Sequence, residues 1–273
     1  MNILFKTVVV SDLHLGIKSS KAKEVVRFIK NHPAEKIILN GDIIDGWQLK
    51  KSGSWKKKHT RFFKLLLKML SKEKMQVIYL RGNHDDFLDE VLPLEIGNFS
   101  IRRDYVHESF GKKYYVVHGD IFDSITTNLK WLAKLGDVGY TFLLWVNRFY
   151  NNYRVKKGLP YYSLSQQIKL KVKKAVSFIS EFENELVEVA KIKKCQGVIT
   201  GHIHHPANKM INGIHYLNSG DWVESLTALV ETFEGEWKII YYDEWIKERE
   251  AANFKDAIPV NTVETPKLQP FAP

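Results

Sequence analysis

Cysteine and long apolar runs are nearly absent from this sequence, and we expect no secretory leader. Cys195 is the single cysteine in 273 residues, which excludes an intramolecular disulfide framework and a thiolate metal site and favours a reducing compartment. The nearest approach to a membrane-spanning run, residues 140–146, is far shorter than the roughly 18 apolar residues required. The N-terminus lacks the basic start and the small-residue cleavage site of a signal peptide. We therefore expect a cytoplasmic protein.

Positive charge is concentrated in two segments. The formal net charge is +10, but residues 50–74 and 130–174 each hold ten Lys or Arg and one acidic residue. The rest of the chain holds 21 basic and 29 acidic residues and is therefore net acidic. Such local charge favours an anionic partner at these segments, although a Lys-rich helix face in solvent gives the same pattern.

Short apolar runs alternate with helical patterns along most of the chain. Apolar residues follow helical spacing over 20–31 and 58–72. This alternation, with a β-rich finish, predicts a single layered α/β domain over residues 1–248. We expect a helical cap insertion at about 122–194 and a mobile tail over 249–273. Five apolar runs that precede polar residues are predicted as strands: 3–10, 36–40, 76–80, 113–117 and 197–200.

Asp, His and Asn residues follow these strands directly. Because ligands of open α/β sheets bind beyond the carboxyl ends of the strands, we expect these side chains to meet. Asp12 and His14 are two residues apart, which in an extended backbone directs both side chains to one side. Carboxylate, imidazole and amide ligands suit Mn²⁺, Fe²⁺ or Zn²⁺. The blocks together predict a two-metal hydrolase, whose candidate ligands are Asp12, His14, Asp42, Asn83, His118, His202 and His204.

The order of these blocks resembles the signature of the calcineurin-like metallophosphoesterase superfamily. That signature reads D-x-H, G-D-x-x-D, G-N-H-D/E, H and G-H-x-H, and all five blocks occur between residues 12 and 204. The resemblance implies a four-layer α/β/β/α sandwich and two divalent ions, which lower the pKa of a water and neutralise charge on the phosphoryl oxygens. By position it assigns one ion to Asp12, His14 and His204, the other to Asn83, His118 and His202, and the bridging role to Asp42.

His84 and Asp45 are the candidate catalytic residues. The resemblance implies that His84 steadies the phosphate and protonates the leaving oxygen, and that Asp45 orients His84. Asp45 could also be a simple helix N-cap. Asp85, Asp120 and Asp221 are either groups that orient histidines or turn residues.

Substrate choice is expected to depend on the long segment between Asp120 and Gly201, which is rich in aromatic and basic residues. A partly apolar cap with a cationic edge suits a lipid with an anionic head group or a membrane surface. With its D-L-H-L and G-D-x-x-D-x-W blocks, the chain resembles the UDP-2,3-diacylglucosamine hydrolase branch. The candidate substrate-binding residues are Trp47, Trp131, Tyr140, Trp145, Arg148 and Arg154.

This branch implies a specific reaction and location. Its members cleave UDP-2,3-diacylglucosamine, a nucleotide-linked acylated sugar, to UMP and the acylated sugar 1-phosphate in lipid A synthesis. They favour Mn²⁺ and work at the cytoplasmic face of the inner membrane, so the resemblance implies a peripheral membrane protein.

One position departs from the branch, because its members carry Arg where this chain has His84. A small-molecule phosphodiesterase or phosphatase, acting for example on cyclic nucleotides, therefore stays an alternative. A nuclease of the same superfamily is less favoured, because the aromatic residues follow helical spacing and no nucleic-acid module is recognisable. We expect no nucleic-acid partner, and the sequence indicates no protein partner.

Overall fold

Two β-sheets pack face to face, with helices on both outer sides. The computed structural model describes residues 3–51, 53–71, 75–122, 153–154, 157–158 and 164–257, with only the backbone over 164–175 and 253–257. The predicted four-layer α/β/β/α sandwich is confirmed. None of the helices in this described part is long and apolar enough to cross a bilayer.

The first sheet has seven strands. In spatial order they are β12 (Trp237–Tyr241), β11 (Thr227–Glu231), β1 (Phe5–Val10), β2 (Ala34–Asn40), β3 (Gln76–Leu80), β5 (Phe99–Arg102) and β4 (Leu94–Ile96). β1, β2 and β3 run parallel, so their carboxyl ends lie at one edge of the sheet.

The second sheet has five strands. Their spatial order is β6 (Asp104–Ser109), β7 (Lys112–Val117), β8 (Gly197–Thr200), β10 (Ile214–Asn218) and β9 (Ala207–Ile211). β7 and β8 are parallel, which again brings two carboxyl ends together. The five strands predicted from apolar runs are thus β1, β2, β3, β7 and β8.

Helices cover the outer faces of both sheets. The α-helices are α1 (Ala22–Asn31), α2 (Gly46–Lys51), α3 (Lys57–Leu70), α4 (Leu164–Ile192) and α5 (Tyr242–Ala257), and 3-10 helices occupy Asn83–Val91 and Asp120–Phe122. Phe28 of α1 and Phe62 of α3 are fully buried against the first sheet. Phe182 and Leu186 of α4 are fully buried against the second sheet.

Alternation along β1 shows why the predicted strands are apolar throughout. Val8 and Val10 belong to the core under α1 and α3, whereas Val9 belongs to the core between the two sheets. Ile38 of β2 and Val116 of β7 lie in the same inter-sheet core. A strand buried on both faces needs apolar residues at every position, and each large side chain contributes about 1.5–3 kcal/mol.

The second half of the predicted cap insertion is a layer of the sandwich. The part of α4 from Phe178 to Ala190 packs on the second sheet and does not belong to a separate cap. The sequence did not distinguish the two cases, because a long amphipathic helix has the same apolar spacing in a cap and in a layer of the sandwich. Residues 123–152 of the predicted insertion lie outside the described residues.

The prediction that an aperiodic tail begins at residue 249 is wrong. Residues 249–257 continue α5, which begins at Tyr242. Tyr242 and Trp245 pack against the first core and so anchor the helix. The charged residues that follow these anchors mask the helical spacing of the apolar residues. Residues 258–273 lie outside the described residues.

Glu231 connects the two sheets. Thr7 Oγ1 of β1 donates a 2.7 Å hydrogen bond to Glu231 Oε2, and His107 Nε2 of β6 lies 2.9 Å from the same oxygen. Burial raises the pKa of Glu231, but the bonds from His107, Ser109 and Thr7 outweigh it and hold the pKa below the ordinary 4.5. The carboxylate therefore stabilises the fold above pH 4.5, and this contribution is lost as the pH falls through the lowered pKa.

We expect Glu231→Gln to lower the free energy of unfolding at pH 7 by about 1–3 kcal/mol, because a buried charged hydrogen-bond acceptor is lost. Wild type should lose this advantage as the pH falls below 4.5, whereas the variant should lose less stability over the same range. Urea unfolding at several pH values measures both effects. Glu248→Gln, at an exposed position of α5, is the matched control, and parallel pH curves for wild type and Glu231→Gln would contradict the prediction.

Candidate active site

The predicted metal ligands all follow strands whose carboxyl ends meet. Asp12 and His14 follow β1, Asp42 follows β2, and Asn83 follows β3. The second sheet contributes His118 after β7, together with His202 and His204 after β8. Parallel pairing within each sheet, together with face-to-face packing of the sheets, therefore gathers residues from distant parts of the sequence.

Asp12, His14 and His204 form the first group. One ligand atom of each lies within 4.8 Å of the others, and His204 Nε2 is 3.2 Å from Asp12 Oδ1. Asp12 is completely buried, and its Oδ2 accepts a hydrogen bond from the His202 backbone nitrogen at 3.1 Å. This bond ties the loop after β8 to the loop after β1.

Asp42, His118 and His202 form the second group, again with ligand atoms within 4.8 Å of one another. His118 Nε2 is 3.5 Å from Asp42 Oδ1, while His14 Nε2 of the first group is 3.7 Å from Asp42 Oδ2. The Asp42 carboxylate thus lies between the two groups, with one oxygen toward each. The His84 backbone nitrogen donates to Asp42 Oδ1 at 2.9 Å and fixes its orientation.

Five ligand residues occupy the left-handed backbone region, which non-glycine residues seldom adopt. The positive φ angles are those of Asp12 (54°), His14 (44°), Asp42 (53°), His202 (66°) and His204 (55°). Such conformations cost about 1–3 kcal/mol each and persist where the surrounding structure enforces them, most often at functional sites. The sequence gives no sign of this strain.

Close approach of the loops requires glycine at position 82. A Cβ atom there would overlap Oδ1 and the backbone nitrogen of Asp42. We expect Gly82→Ala to lower kcat about 10- to 100-fold, because Asp42 must move. Gly97→Ala is the control: a Cβ at Gly97 meets nothing within 4 Å, and the backbone cost of about 1–2 kcal/mol at its positive φ of 58° falls in the β4–β5 turn and not on Asp42. Steady-state kinetics on bis-p-nitrophenyl phosphate measures the effect, and full activity of Gly82→Ala would contradict the close approach.

Buried polar atoms fit a cation at this site. His118 Nδ1 donates to the Asn40 carbonyl at 2.8 Å, so the neutral His118 ring would offer its lone pair from Nε2, which faces Asp42. Asn83 Oδ1 is buried and finds no hydrogen-bond partner within the described part of the chain. An imidazole nitrogen and an amide oxygen held in this way are suitable ligands for a borderline divalent metal.

The electrostatics of the site also favour positive charge. Burial raises the pKa of Asp12, but the imidazoles of His204 and His118 outweigh it and hold the pKa at about 2. Burial lowers the pKa of His118, but Asp42 and Asp12 outweigh it and raise the pKa to about 10. The two carboxylates thus attract a proton to His118, and a divalent cation would take the place of that proton.

His84 and Asp45 lie beside Asp42. His84 Nδ1 is 3.1 Å from Asp45 Oδ1, and His14 Nδ1 is 3.3 Å from Asp45 Oδ2. The backbone nitrogen of Gln48 also donates to Asp45 Oδ1 at 2.8 Å, so Asp45 caps α2 as well. Asp45 therefore has both of the roles that the sequence offered as alternatives: it caps a helix and it contacts a histidine. His14, Asp45 and His84 form a third group with ligand atoms within 4.8 Å.

The carboxylates of Asp85, Asp120 and Asp221 have different partners in the structure. Asp85 is fully buried and accepts from the backbone nitrogens of Ile43 and Ile44 and from the Tyr79 hydroxyl, so it holds the Asp42 loop and orients no histidine. Asp221 Oδ1 lies 3.8 Å from His204 Nδ1. Asp120 pairs with Arg81, which also binds Asp89.

Sequence reasoning missed several supporting residues. Tyr79 donates to Asp85 at 2.8 Å, the Asn40 carbonyl orients His118, and Thr200 Oγ1 donates to the His118 carbonyl at 2.7 Å. A polar residue at the end of an otherwise apolar strand is the signal that could have found Thr200. Asn40 acts through its backbone carbonyl, for which the sequence carries no signal.

Only some of the predicted substrate residues are described. The Trp47 ring lies 4.4 Å from the His84 ring and is 48% exposed, so it forms part of the rim of the site. Arg154 belongs to an isolated pair of described residues, so its role stays a prediction. Trp131, Tyr140, Trp145 and Arg148 lie outside the described residues.

A family model described as calcineurin-like phosphoesterase matches residues 5–206, which include every ligand block. The chain belongs to this family. It is therefore a metal-dependent phosphoester hydrolase of mixed α/β fold. The predictions of the fold class and of the reaction class are confirmed. No curated protein gives a significant match.

The solved structures that match the chain are remote in sequence. An archaeal phosphodiesterase is 14% identical with a TM-score of 0.40, and the phosphoesterase YfcE from E. coli is 13% identical with a TM-score of 0.40. A Vps29 mutant from Entamoeba histolytica is 11% identical, also with a TM-score of 0.40. Each alignment covers 86% of this chain and 98% of the other.

Proposed function

We propose that the protein hydrolyses a phosphodiester or pyrophosphate bond with two divalent ions. The observation that carries this proposal is the position of Asp42, whose two carboxylate oxygens lie 3.7 Å from His14 Nε2 and 3.5 Å from His118 Nε2. A carboxylate between two sets of histidine ligands is the arrangement that a bridging ligand needs.

The residues divide between two ion sites. Asp12, His14 and His204 would hold one ion, and Asn83, His118 and His202 would hold the other. The ions supply an activated water and neutralise charge on the phosphoryl oxygens. Mn²⁺ is the favoured ion in this proposal, and Fe²⁺ or Zn²⁺ suits the same ligands.

His84 provides a proton to the leaving oxygen in this account. Its Nδ1–H donates to Asp45, and Nε2, which is 3.9 Å from Asp42 Oδ2, faces the ligand cluster. His84 would act as the doubly protonated imidazolium, giving the Nε2 proton to the leaving oxygen and keeping the Nδ1 proton. Asp45 is a positioning residue, because it orients His84 and is itself held by the Gln48 backbone nitrogen.

The substrate that we propose is UDP-2,3-diacylglucosamine, cleaved to UMP and the acylated sugar 1-phosphate at the cytoplasmic face of the inner membrane. Trp47 supports a substrate with a planar base, because an exposed indole beside His84 offers a stacking surface at the rim. Trp47 Nε1 donates to Asp86 Oδ2 at 3.0 Å, which fixes the ring in place. The basic segments of the sequence suit an anionic membrane surface.

Purified protein with Mn²⁺ should release UMP from UDP-2,3-diacylglucosamine. Bis-p-nitrophenyl phosphate, cyclic AMP and single-stranded DNA are the comparison substrates. UMP release that stops on addition of a chelator is the expected result. Clear turnover of another substrate without UMP release would overturn the lipid assignment and leave the two-ion proposal in place.

His84 favours a second candidate, a phosphodiesterase acting on a small molecule. The residue matches the general G-N-H-D/E form and differs from the Arg of the lipid branch. Faster turnover of cyclic AMP than of UDP-2,3-diacylglucosamine would select this candidate.

A further inference from the structure

Arg81 joins two of the chain segments that carry predicted metal ligands. It is the first residue after β3 and stands two positions before Asn83. Its Nε and Nη2 each donate at 3.1 Å to one oxygen of Asp89, which lies in the 3-10 helix that begins at Asn83. Its Nη1 donates to Asp120, two positions after His118. We call Arg81, Asp89 and Asp120 the arginine network.

The arginine network connects the two sheets at the edge where the site lies. β3 belongs to the first sheet, and β7, which leads to His118, belongs to the second. A guanidinium group is planar and holds its N–H donors in fixed directions, so the two bonds to Asp89 set the direction of the bond to Asp120. The side chains of Arg81 and Asp120 are only 20% and 10% exposed, so water screens their attraction less than it would at an open surface.

Asn83 and His118 depend on this connection in different ways. The ring of His118 is held within the core, because its Nδ1 donates to the Asn40 carbonyl at 2.8 Å. Asn83 Oδ1 is buried and accepts no hydrogen bond from the residues that the structure describes. The position of Asn83 is therefore set by its backbone, which runs from Arg81 into the 3-10 helix.

We propose that Arg81 is a positioning residue for the second ion, the one assigned to Asn83, His118 and His202. This inference rests on the proposed function, because it gives Arg81 a role toward one of the two proposed ions. Arg81 contacts a carboxylate on each of the two segments, and so it holds Asn83 and His118 at the separation that a shared ion requires. The first ion is assigned no ligand from either segment. Loss of the network should therefore weaken the second ion and spare the first.

Titration with Mn²⁺, followed by the electron paramagnetic resonance signal of the free ion, measures the affinity for each ion without reference to turnover. Arg81→Gln removes the charge and the paired donors, whereas Arg81→Lys keeps the charge and loses the planar fork. We expect both variants to bind one ion about as tightly as wild type and the other at least about tenfold more weakly. Equal weakening of both ions would overturn a role specific to the second ion. Wild-type affinities in Arg81→Lys would show that charge is sufficient and would overturn the positioning role.

Anomalous diffraction from Arg81→Gln crystals at limiting Mn²⁺ identifies the weakened ion. The smaller peak should lie beside Asn83, His118 and His202. A smaller peak at the first ion would overturn the proposal.

Arg103→Gln is the matched control. Arg103 lies 3.1 Å from the same Asp89 but is 67% exposed, and its loss leaves the bond from Arg81 to Asp120 in place. We expect wild-type affinities for both ions in this variant. A loss as large as that of Arg81→Gln would overturn the importance of the connection to Asp120.

Asp120→Asn breaks the network from its other end and covers the case in which Arg81→Gln folds poorly. It should weaken the same ion as Arg81→Gln. The double variant should bind that ion about as tightly as Arg81→Gln alone, because the two changes break one connection. Losses that multiply in the double variant would show independent effects and would overturn the network.

Kinetics on bis-p-nitrophenyl phosphate separates positioning of an ion from contact with substrate. The rate of Arg81→Gln should fall at limiting Mn²⁺, and excess Mn²⁺ should restore it to within about threefold of wild type, because mass action fills a weakened site. A loss that excess Mn²⁺ does not restore would overturn the positioning role.

The binding measurement also separates this inference from the proposed function. Two ions in wild type, with the same affinities in Arg81→Gln, would overturn the role of Arg81 and leave the two-ion proposal in place. A single ion in wild type would overturn both.

Discussion

Substitution of Asp42 by asparagine is expected to lower kcat on bis-p-nitrophenyl phosphate by about a thousandfold or more. The two oxygens of Asp42 face His14 and His118, so this carboxylate serves both ligand groups. Asparagine offers one oxygen and no negative charge, and it cannot bridge two cations. The variant should also hold fewer than two ions per chain by elemental analysis, because the charge that both ions share is gone.

Asp243→Asn is the matched control. It makes the same chemical change at an exposed residue in the first turn of α5, and we expect wild-type activity and metal content. Circular dichroism of Asp42→Asn checks that the fold is retained. If Asp42→Asn kept most of the activity and bound two ions per chain, the bridging role of Asp42 would be refuted.

His84→Gln should lower kcat by about 100- to 10,000-fold on a phosphodiester with an alkyl leaving group, because glutamine cannot transfer a proton. The loss should be much smaller on bis-p-nitrophenyl phosphate, whose leaving oxygen needs no proton. Metal content should match wild type, since His84 is not among the proposed ligands. The ratio of the two losses separates a proton donor from a residue that merely shapes the site.

His215→Gln provides the control for this variant, because His215 lies on β10 and contacts Tyr114 and Asn208. It should leave both activities within about twofold of wild type. Loss of an ion in His84→Gln would instead make His84 a ligand, through the group of His14, Asp45 and His84.

The strand ends were predictable from sequence, because a parallel strand buried on both faces has an unbroken apolar run and stops abruptly at its first polar residue. The apolar run that ends at Val10 leads to Asp12, the run that ends at Leu39 leads to Asp42, and the run that ends at Val117 leads to His118. Parallel pairing then places the residues that follow at one edge. Local patterns were therefore sufficient to locate the predicted ligands before any contact between them was known.

Contacts between distant segments were not predictable by the same reasoning. Asp85 holds the backbone of Ile43 and Ile44, and Glu231 meets His107 across the two sheets. Nothing in the local pattern around either carboxylate indicates its partner, because the partner is set by how loops and sheets pack. The strands β4, β5, β6 and β9 were missed because each contains few apolar residues.

A surface groove between the starts of α1 and α3, lined by Lys18, Lys21, Lys23, Lys56 and Lys58, illustrates the same limit. The basic run that includes Lys56 and Lys58 is evident in the sequence, and its predicted anionic partner depended on charge alone. Lys18, Lys21 and Lys23 belong to a different stretch, and only the packing of α1 beside α3 brings the two sets together. Charge counted along the sequence therefore underestimates the charge gathered at one place.

The central claim, a two-ion site bridged by Asp42, is tested most directly by anomalous diffraction from crystals grown with Mn²⁺. The account predicts two peaks about 3.5–4 Å apart. One should contact Asp12, His14 and His204, the other should contact Asn83, His118 and His202, and Asp42 should lie between them. A single peak, or a peak held by His14, Asp45 and His84, would contradict it.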